Sequence, residues 1–131
     1  MSSVQRIGRG PAGFPFSCIT VAGGMFHVSG QVAQDPSTGR IESSQCYEQS
    51  QFLLKKLCKT LEESGFNPEQ IVKMTVFLTD MADRESFDRA LQEHFAPRDI
   101  LPFVCTYAGV KALPNPAAVV EVELLGYVPQ R

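Results

Sequence analysis

Glu121 and Glu123 are the residues of this chain best placed by type and spacing to do chemistry. They stand two apart in the run Ala118–Val128 and alternate with Val120, Val122 and Leu124. In an extended chain both carboxylates therefore leave one face and the apolar side chains leave the other. A carboxylate on such a face is either solvated at an edge or part of a shared cleft, and the run itself fits both readings. His27 lies in a short strand-like run beginning at Met25, where a histidine satisfied within the sheet and a general base both remain open. Cys18, Cys46, Cys58 and Cys105 contain no Cys-x-x-Cys pair. With His27 and His94 they meet no ligand spacing, so no metal is expected. Cys58 and Cys105 are expected to be inert core thiols, because a reactive thiol needs a cation or a helix N-terminus beside it. No His pair or His–Lys set suited to phosphodiester cleavage is present.

These residues need a scaffold, and the sequence supplies one around Ile71–Asp80. Val72, Met74, Val76 and Leu78 alternate there with Lys73, Thr75, Phe77 and Thr79, which predicts a strand with one uniformly apolar face packed on helices. Before it, Leu53, Leu54, Leu57, Cys58 and Leu61 recur at helical spacing over about 44–64. Ser43 or Ser44 is available as N-cap and Gly65 as the stop. After it, Phe87, Leu91 and Phe95 mark a helix over about 84–94, with Asp83 as its expected cap and Pro97 closing it. Strands are expected at 14–22 and 25–29, joined by the Gly23-Gly24 hairpin signal, and at 103–108 and 118–128. Asp35-Pro-Ser-Thr-Gly39 is turn chemistry. The resulting order is β-β-α-β-α-β-β, with an antiparallel hairpin at each end and both helices on one face of the sheet, an α+β layout. Residues 1–13 read as an extended or loosely held arm and 14–131 as a single domain. The sheet face away from the helices would carry Phe77, Val104 or Cys105, and Met25 or His27, apolar enough to suggest association through it.

Composition narrows the function classes. Twelve Lys and Arg against fourteen Asp and Glu give a net charge of −2, and the basic residues are scattered, so a nucleic-acid surface is not expected. The apolar runs are far shorter than the ~18 residues of a membrane span. The first ten residues carry no apolar leader segment, and the cytosol is the expected compartment.

Four stretches, in order and spacing, carry a family resemblance: Phe26-His-Val-Ser-Gly-Gln31, Asp35-Pro-x-Thr-Gly39, Lys73-Met-Thr-Val-Phe-Leu-Thr-Asp-Met81 and Val120-Glu-Val-Glu123. From about Phe14 to Val128 the chain resembles the YjgF/YER057c/UK-type or Rid (reactive intermediate deaminase) family, also labelled endoribonuclease L-PSP. The resemblance implies a chorismate-mutase-like fold in a homotrimer, with an inner barrel of sheets and small-molecule clefts between subunits. It also implies cofactor-free, metal-free hydrolysis of enamines and imines to 2-oxo acids and ammonia.

Site residues follow from the resemblance position by position. Glu121 takes the place of the glutamate that holds and polarises the attacking water. Phe16 stands for an aromatic wall residue without its hydroxyl, Gly30 for a glycine whose backbone approaches the ligand, and Asp88 for an asparagine of the second helix. Val104 falls where active members carry an arginine that grips the substrate carboxylate. A one-residue slip extends this part of the candidate wall to Cys105 and Thr106. Losing that charge-assisted contact would cost about 2–4 kcal/mol in binding an anionic substrate. Poor turnover of 2-imino acids is therefore expected unless Arg98 or Lys111 reaches the cleft. A non-catalytic trimeric metabolite-binding protein is the second reading, favoured by Val104, Phe16 and Phe103; a ribonuclease or translation inhibitor is the third.

Overall fold

A computed structural model of the chain describes residues 3–9, 15–96 and 101–129. Its elements are β1 (Gln5–Arg9), β2 (Ser17–Ala22), β3 (Met25–Gln31), α1 (Cys46–Glu63), β4 (Ile71–Leu78), α2 (Arg84–His94), β5 (Val104–Gly109) and β6 (Val120–Tyr127). All six strands join one sheet in the order β1-β2-β3-β6-β4-β5. The fold is α+β, a mixed sheet with two helices, as the β-β-α-β-α-β-β pattern predicts. One strand is added: residues 5–9, expected as part of an arm, pair antiparallel with β2 along the sheet edge. Phe14 and Pro97 lie outside the described residues.

The second expected hairpin does not form. β5 runs parallel to β4, with Lys73 beside Val104 and Phe77 beside Ala108, and β6 lies between β3 and β4, antiparallel to both. The physical reason is burial. β5 follows β4 through the crossover helix α2, which delivers a parallel neighbour. β6, with Val120, Val122 and Leu124 all buried, gains most from a central position between two partners. β5 keeps the edge.

Two irregularities adjust the faces. β4 has an extra residue between Ile71 and Lys73 relative to β6. Ile71 is consequently buried with Met74, Val76 and Leu78, while Val72, expected on that face, is only half-buried. Such a bulge shifts the side-chain alternation by one. β3 likewise gains a residue against β6 between Val28 and Gln31, so Ser29 and Gly30 fall in irregular ladder.

The core lies between the sheet and the helices. α1 contributes Leu53, Leu54, Leu57 and Leu61, α2 contributes Phe87, Ala90 and Leu91, and β4 and β6 supply the facing aliphatic rows. α1 ends as expected at Gly65, whose φ of +87° is open to glycine at little cost. Its start differs. The N-cap is Gln45, without a side-chain cap bond; Ser43 Oγ instead accepts from Gln45 N at 3.0 Å. Asp83 makes no cap bond either, because it is the last residue of a short 3-10 turn, Met81–Asp83, running directly into α2. Asp80 caps that turn, accepting from Ala82 N at 3.0 Å. The loop after β3 keeps its turn chemistry: Asp35 Oδ1 accepts from Ser37 N at 2.9 Å, and Gly39 sits at φ +73°.

One buried amide secures the long link between β5 and β6. Gln49 on α1, 1% exposed, donates to Ser43 O at 2.8 Å and Ala117 O at 2.9 Å, and its Oε1 accepts from Val119 N at 3.0 Å. Those three bonds fix where β6 enters the sheet.

Candidate functional site

The sheet face away from the helices carries a concavity of about 590 Å³, lined by residues of β2, β3, β4 and β6 together with Phe16 just before β2. Alternation decides what faces it. On β6 the apolar row turns to the helices, so Glu121 and Glu123 turn to the open side. On β4 the same logic turns Lys73, Thr75 and Phe77 that way, with Thr75 opposite Glu123 and Phe77 opposite Glu121.

Glu121 lies against the backbone of Gly30. A methyl group built on Gly30 would stand 3.1 Å from Glu121 Cδ and 3.3 Å from Oε2. The missing side chain lets the carboxylate approach closely, and even a methyl group would press it aside by a few tenths of an ångström. Burial raises the Glu121 pKa first, and the Glu123 carboxylate beside it raises it further. A half-buried carboxylate with a raised pKa is a better proton acceptor than a solvated one. Nearby, the buried amide of Gln31 donates to Cys18 Sγ at 3.3 Å, while its Oε1 has no hydrogen-bond partner among the described residues. Lys56 holds the chain leaving β3, donating to Val32 O at 3.0 Å and Gln34 O at 2.9 Å.

Phe16 and Gly30 line the concavity, and Glu121 packs on its Gly30 wall. Val104 and Thr106 share the open face through their register with Lys73 and Thr75, but they stand on the edge strand and outside the lining. Val104 is 65% exposed. Cys105 and Asp88 are not brought to this face within the chain. Cys105 pairs with Met74, and Asp88 on α2 accepts a hydrogen bond from the Tyr107 hydroxyl and binds Arg84 Nε at 3.3 Å. The Arg84 guanidinium lies 5.6 Å from the Tyr107 ring centroid, completing a network on the helix side. Lys111 is exposed beyond the far end of β5 and does not line the concavity; Arg98 lies outside the described residues.

Sequence reasoning passed over Lys73, Ser29 and Thr75, all of which line the concavity. The signal was present for Lys73 and Thr75, because they alternate with the apolar row of β4. Ser29 depended on the β3 bulge, which no local pattern announced.

The cysteines are free thiols. Burial raises the pKa of each, Cys58 to about 11 with Glu62 adding to the effect. Cys58 Sγ lies 3.3 Å from His94 Nε2 in a groove between the helices, but a thiol held protonated by burial is a poor nucleophile. Among the described residues no group of three or more His, Cys, Asp or Glu side chains could hold a metal ion. No described helix is long and apolar enough to cross a membrane.

Comparison with known proteins agrees with this architecture. A "RutC family protein y4sK" of Sinorhizobium fredii is 36% identical over 109 residues, 83% of each chain. The mouse 2-iminobutanoate/2-iminopropanoate deaminase is 32% identical over 111 residues, covering 85% of this chain and 79% of the mouse protein. The crystal structure of E. coli TdcF with bound serine superposes with a TM-score of 0.84 at 25% identity, covering 95% of this chain and 99% of that one. The model of the family described as Endoribonuclease L-PSP matches residues 9–128, and the chain belongs to that family.

Proposed function

We propose that the protein hydrolyses small imines and their enamine tautomers to carbonyl compounds and ammonia. In that reaction a water oxygen bonds to the imine carbon, the carbon–nitrogen bond breaks, and nitrogen leaves as ammonia with protons from water. Glu121 holds and polarises the water, Gly30 lets the substrate approach the backbone, and Phe16 forms a wall. The observation that carries this reading is the Glu121 carboxylate packed on Gly30 with its pKa raised by burial. General acid–base help of this kind contributes ~10²–10⁴-fold. The name of the mouse relative supports the reaction class. The open face, with Phe77, Leu125, Val104 and Tyr127 on it, supports a homotrimer associated through the sheet. Ammonia release from 2-iminobutanoate generated by an amino-acid oxidase tests the reading. Wild type should accelerate release over the spontaneous reaction, weakly where no cation stands in for the one absent at Val104, and Glu121→Gln should lose most of that gain; equal rates with and without protein would overturn it.

A metabolite-binding protein without turnover is the second reading, favoured by the uncharged, exposed Val104 on the sheet edge. The carboxylates of Glu121 and Glu123 on the open face, with a net charge of −2, give a ribonuclease reading no support.

A further inference from the structure

The concavity has a charge direction along β4. Lys73 is exposed, faces the open side and lines the concavity, whose lining also includes Phe16, Ser29, Gly30 and Thr75. Among the described residues lining it, Lys73 supplies the permanent positive charge and Glu123 the carboxylate. The neighbours that flank Lys73 in the sheet are apolar, Leu125 on β6 and Val104 on β5. The ion pair found among the described residues, Arg84–Asp88, is on the helix side and does not engage it. Glu121 stands opposite Phe77, four residues further along β4, or about 13 Å at the rise of a strand. Glu123, opposite Thr75, lies between them. An anion entering this face is therefore repelled at the middle and at the Glu121 end and attracted at Lys73.

We propose that Lys73 is the anion anchor of the site: its ammonium binds the carboxylate of a small acid that enters the concavity. Val104, the in-register neighbour of Lys73 on the edge strand, is uncharged and exposed, so Lys73 supplies the positive charge of this part of the face. The nature of the reaction rests on the deaminase reading; the grip on the carboxylate does not.

The test measures binding and turnover separately. 2-Oxobutanoate and its uncharged amide are titrated by calorimetry into wild type, Lys73→Met, Lys73→Arg, Glu123→Gln and Arg98→Met. Lys73→Met should weaken the acid ~10–100-fold, the range for a charge-assisted hydrogen bond, and leave the amide unchanged. Lys73→Arg should stay within a few-fold of wild type, and Glu123→Gln should bind the acid more tightly. With 2-iminobutanoate, Lys73→Met should raise KM with little change in kcat. Its urea midpoint and its sedimentation should match wild type, which separates a lost grip on the acid from a lost fold or assembly. Unchanged acid binding in Lys73→Met, equal losses for acid and amide, loss of acid binding in Arg98→Met but not in Lys73→Met, or a wild type that binds no acid would each overturn the proposal. A wild type that binds the acid through Lys73 but releases no ammonia would sink the deaminase reading and leave the anchor standing.

Discussion

β6 shows two different proteins on its two faces. Toward the helices, Val120, Val122 and Leu124 are sealed in the core, and the polar groups nearby are closed into complete sets: Gln49 with three bonds, Asp88 with Tyr107 and Arg84. Toward the open side, Glu121 is half-buried against Gly30, Glu123 is exposed, and a concavity lined by Gly30 and Glu123 takes the place of a helix. The closed face is where the stability resides, because unmet hydrogen bonds and cavities there are costly. The open face trades burial for charged groups with unused hydrogen-bonding capacity, which is what a ligand site requires. The two faces should therefore fail in different ways when altered.

The largest effect is expected at Gln49. Gln49→Leu strands the Val119 N–H and the Ser43 and Ala117 carbonyls that the amide now serves. At ~1–3 kcal/mol for each buried group left unpaired, the three together should cost at least about 3 kcal/mol in urea unfolding. Thr75→Ala on the open side should cost less than ~1 kcal/mol. Comparable losses at the two positions would erase the distinction between the faces.

How far each face was legible in the sequence follows from the range of the interactions behind it. The alternation of β4 and β6, the α1 stripe and the stop at Gly65 are local, and the chain states them within a few residues. The position of β6 between β3 and β4 is not local: it depends on the burial of one strand relative to all the others, so a hairpin with β5 looked equally natural. Gln49 reads as one more polar helix residue, because its partners lie up to 70 residues away. Of the candidate residues, Phe16, Gly30 and Glu121, named from their motifs, fall together on the open face. Cys105 and Val104 were separable only by register, since one residue's slip exchanges faces. Asp88 could not be placed without the pairing that sets Tyr107 over α2.

Gly126 gives the next largest effect and probes how tightly the closed face is filled. A methyl group there would meet Phe26 Cζ at 2.1 Å and Gln70 O at 2.7 Å. Phe26 is itself fully buried and stacked on Phe66 with centroids 4.7 Å apart, so it has nowhere to move. Gly126→Ala should destabilise by about 1–3 kcal/mol, the usual cost of overpacking, read as a lowered urea midpoint. If turnover per folded molecule is unchanged, the damage is confined to the core.

Gly30→Ala is the matching change on the open side, and its signature should be the reverse. The new methyl would press on Glu121 at 3.1 Å, and the half-buried carboxylate can give way. Stability should fall by less than ~1 kcal/mol, whereas a displaced catalytic group can cost up to ~10²-fold in rate. Ammonia release and a urea melt on the same sample separate the two. A Gly30→Ala protein with full activity would mean that the position of Glu121 does not matter to the reaction.

The smallest effect, and the sharpest on mechanism, concerns Glu123. Burial is the main cause of the raised Glu121 pKa and the Glu123 charge is the lesser one. The sign for stability follows. A carboxyl whose pKa is raised on folding binds more protons in the folded state, so it lowers stability as pH climbs from its unfolded toward its folded pKa. In the proposed reaction the same carboxyl is ionised to hold water for attack, so activity should rise over that window while stability falls. Glu123→Gln removes the lesser cause and leaves burial in place. The acid limb of the kcat profile should therefore move to lower pH without disappearing, and the pH-dependent loss of stability should shrink in step. Glu121→Gln should abolish both the limb and its share of the stability change. An acid limb that stays put in Glu123→Gln while the stability profile shifts would assign the limb to a group other than Glu121, and the open face would need a different base.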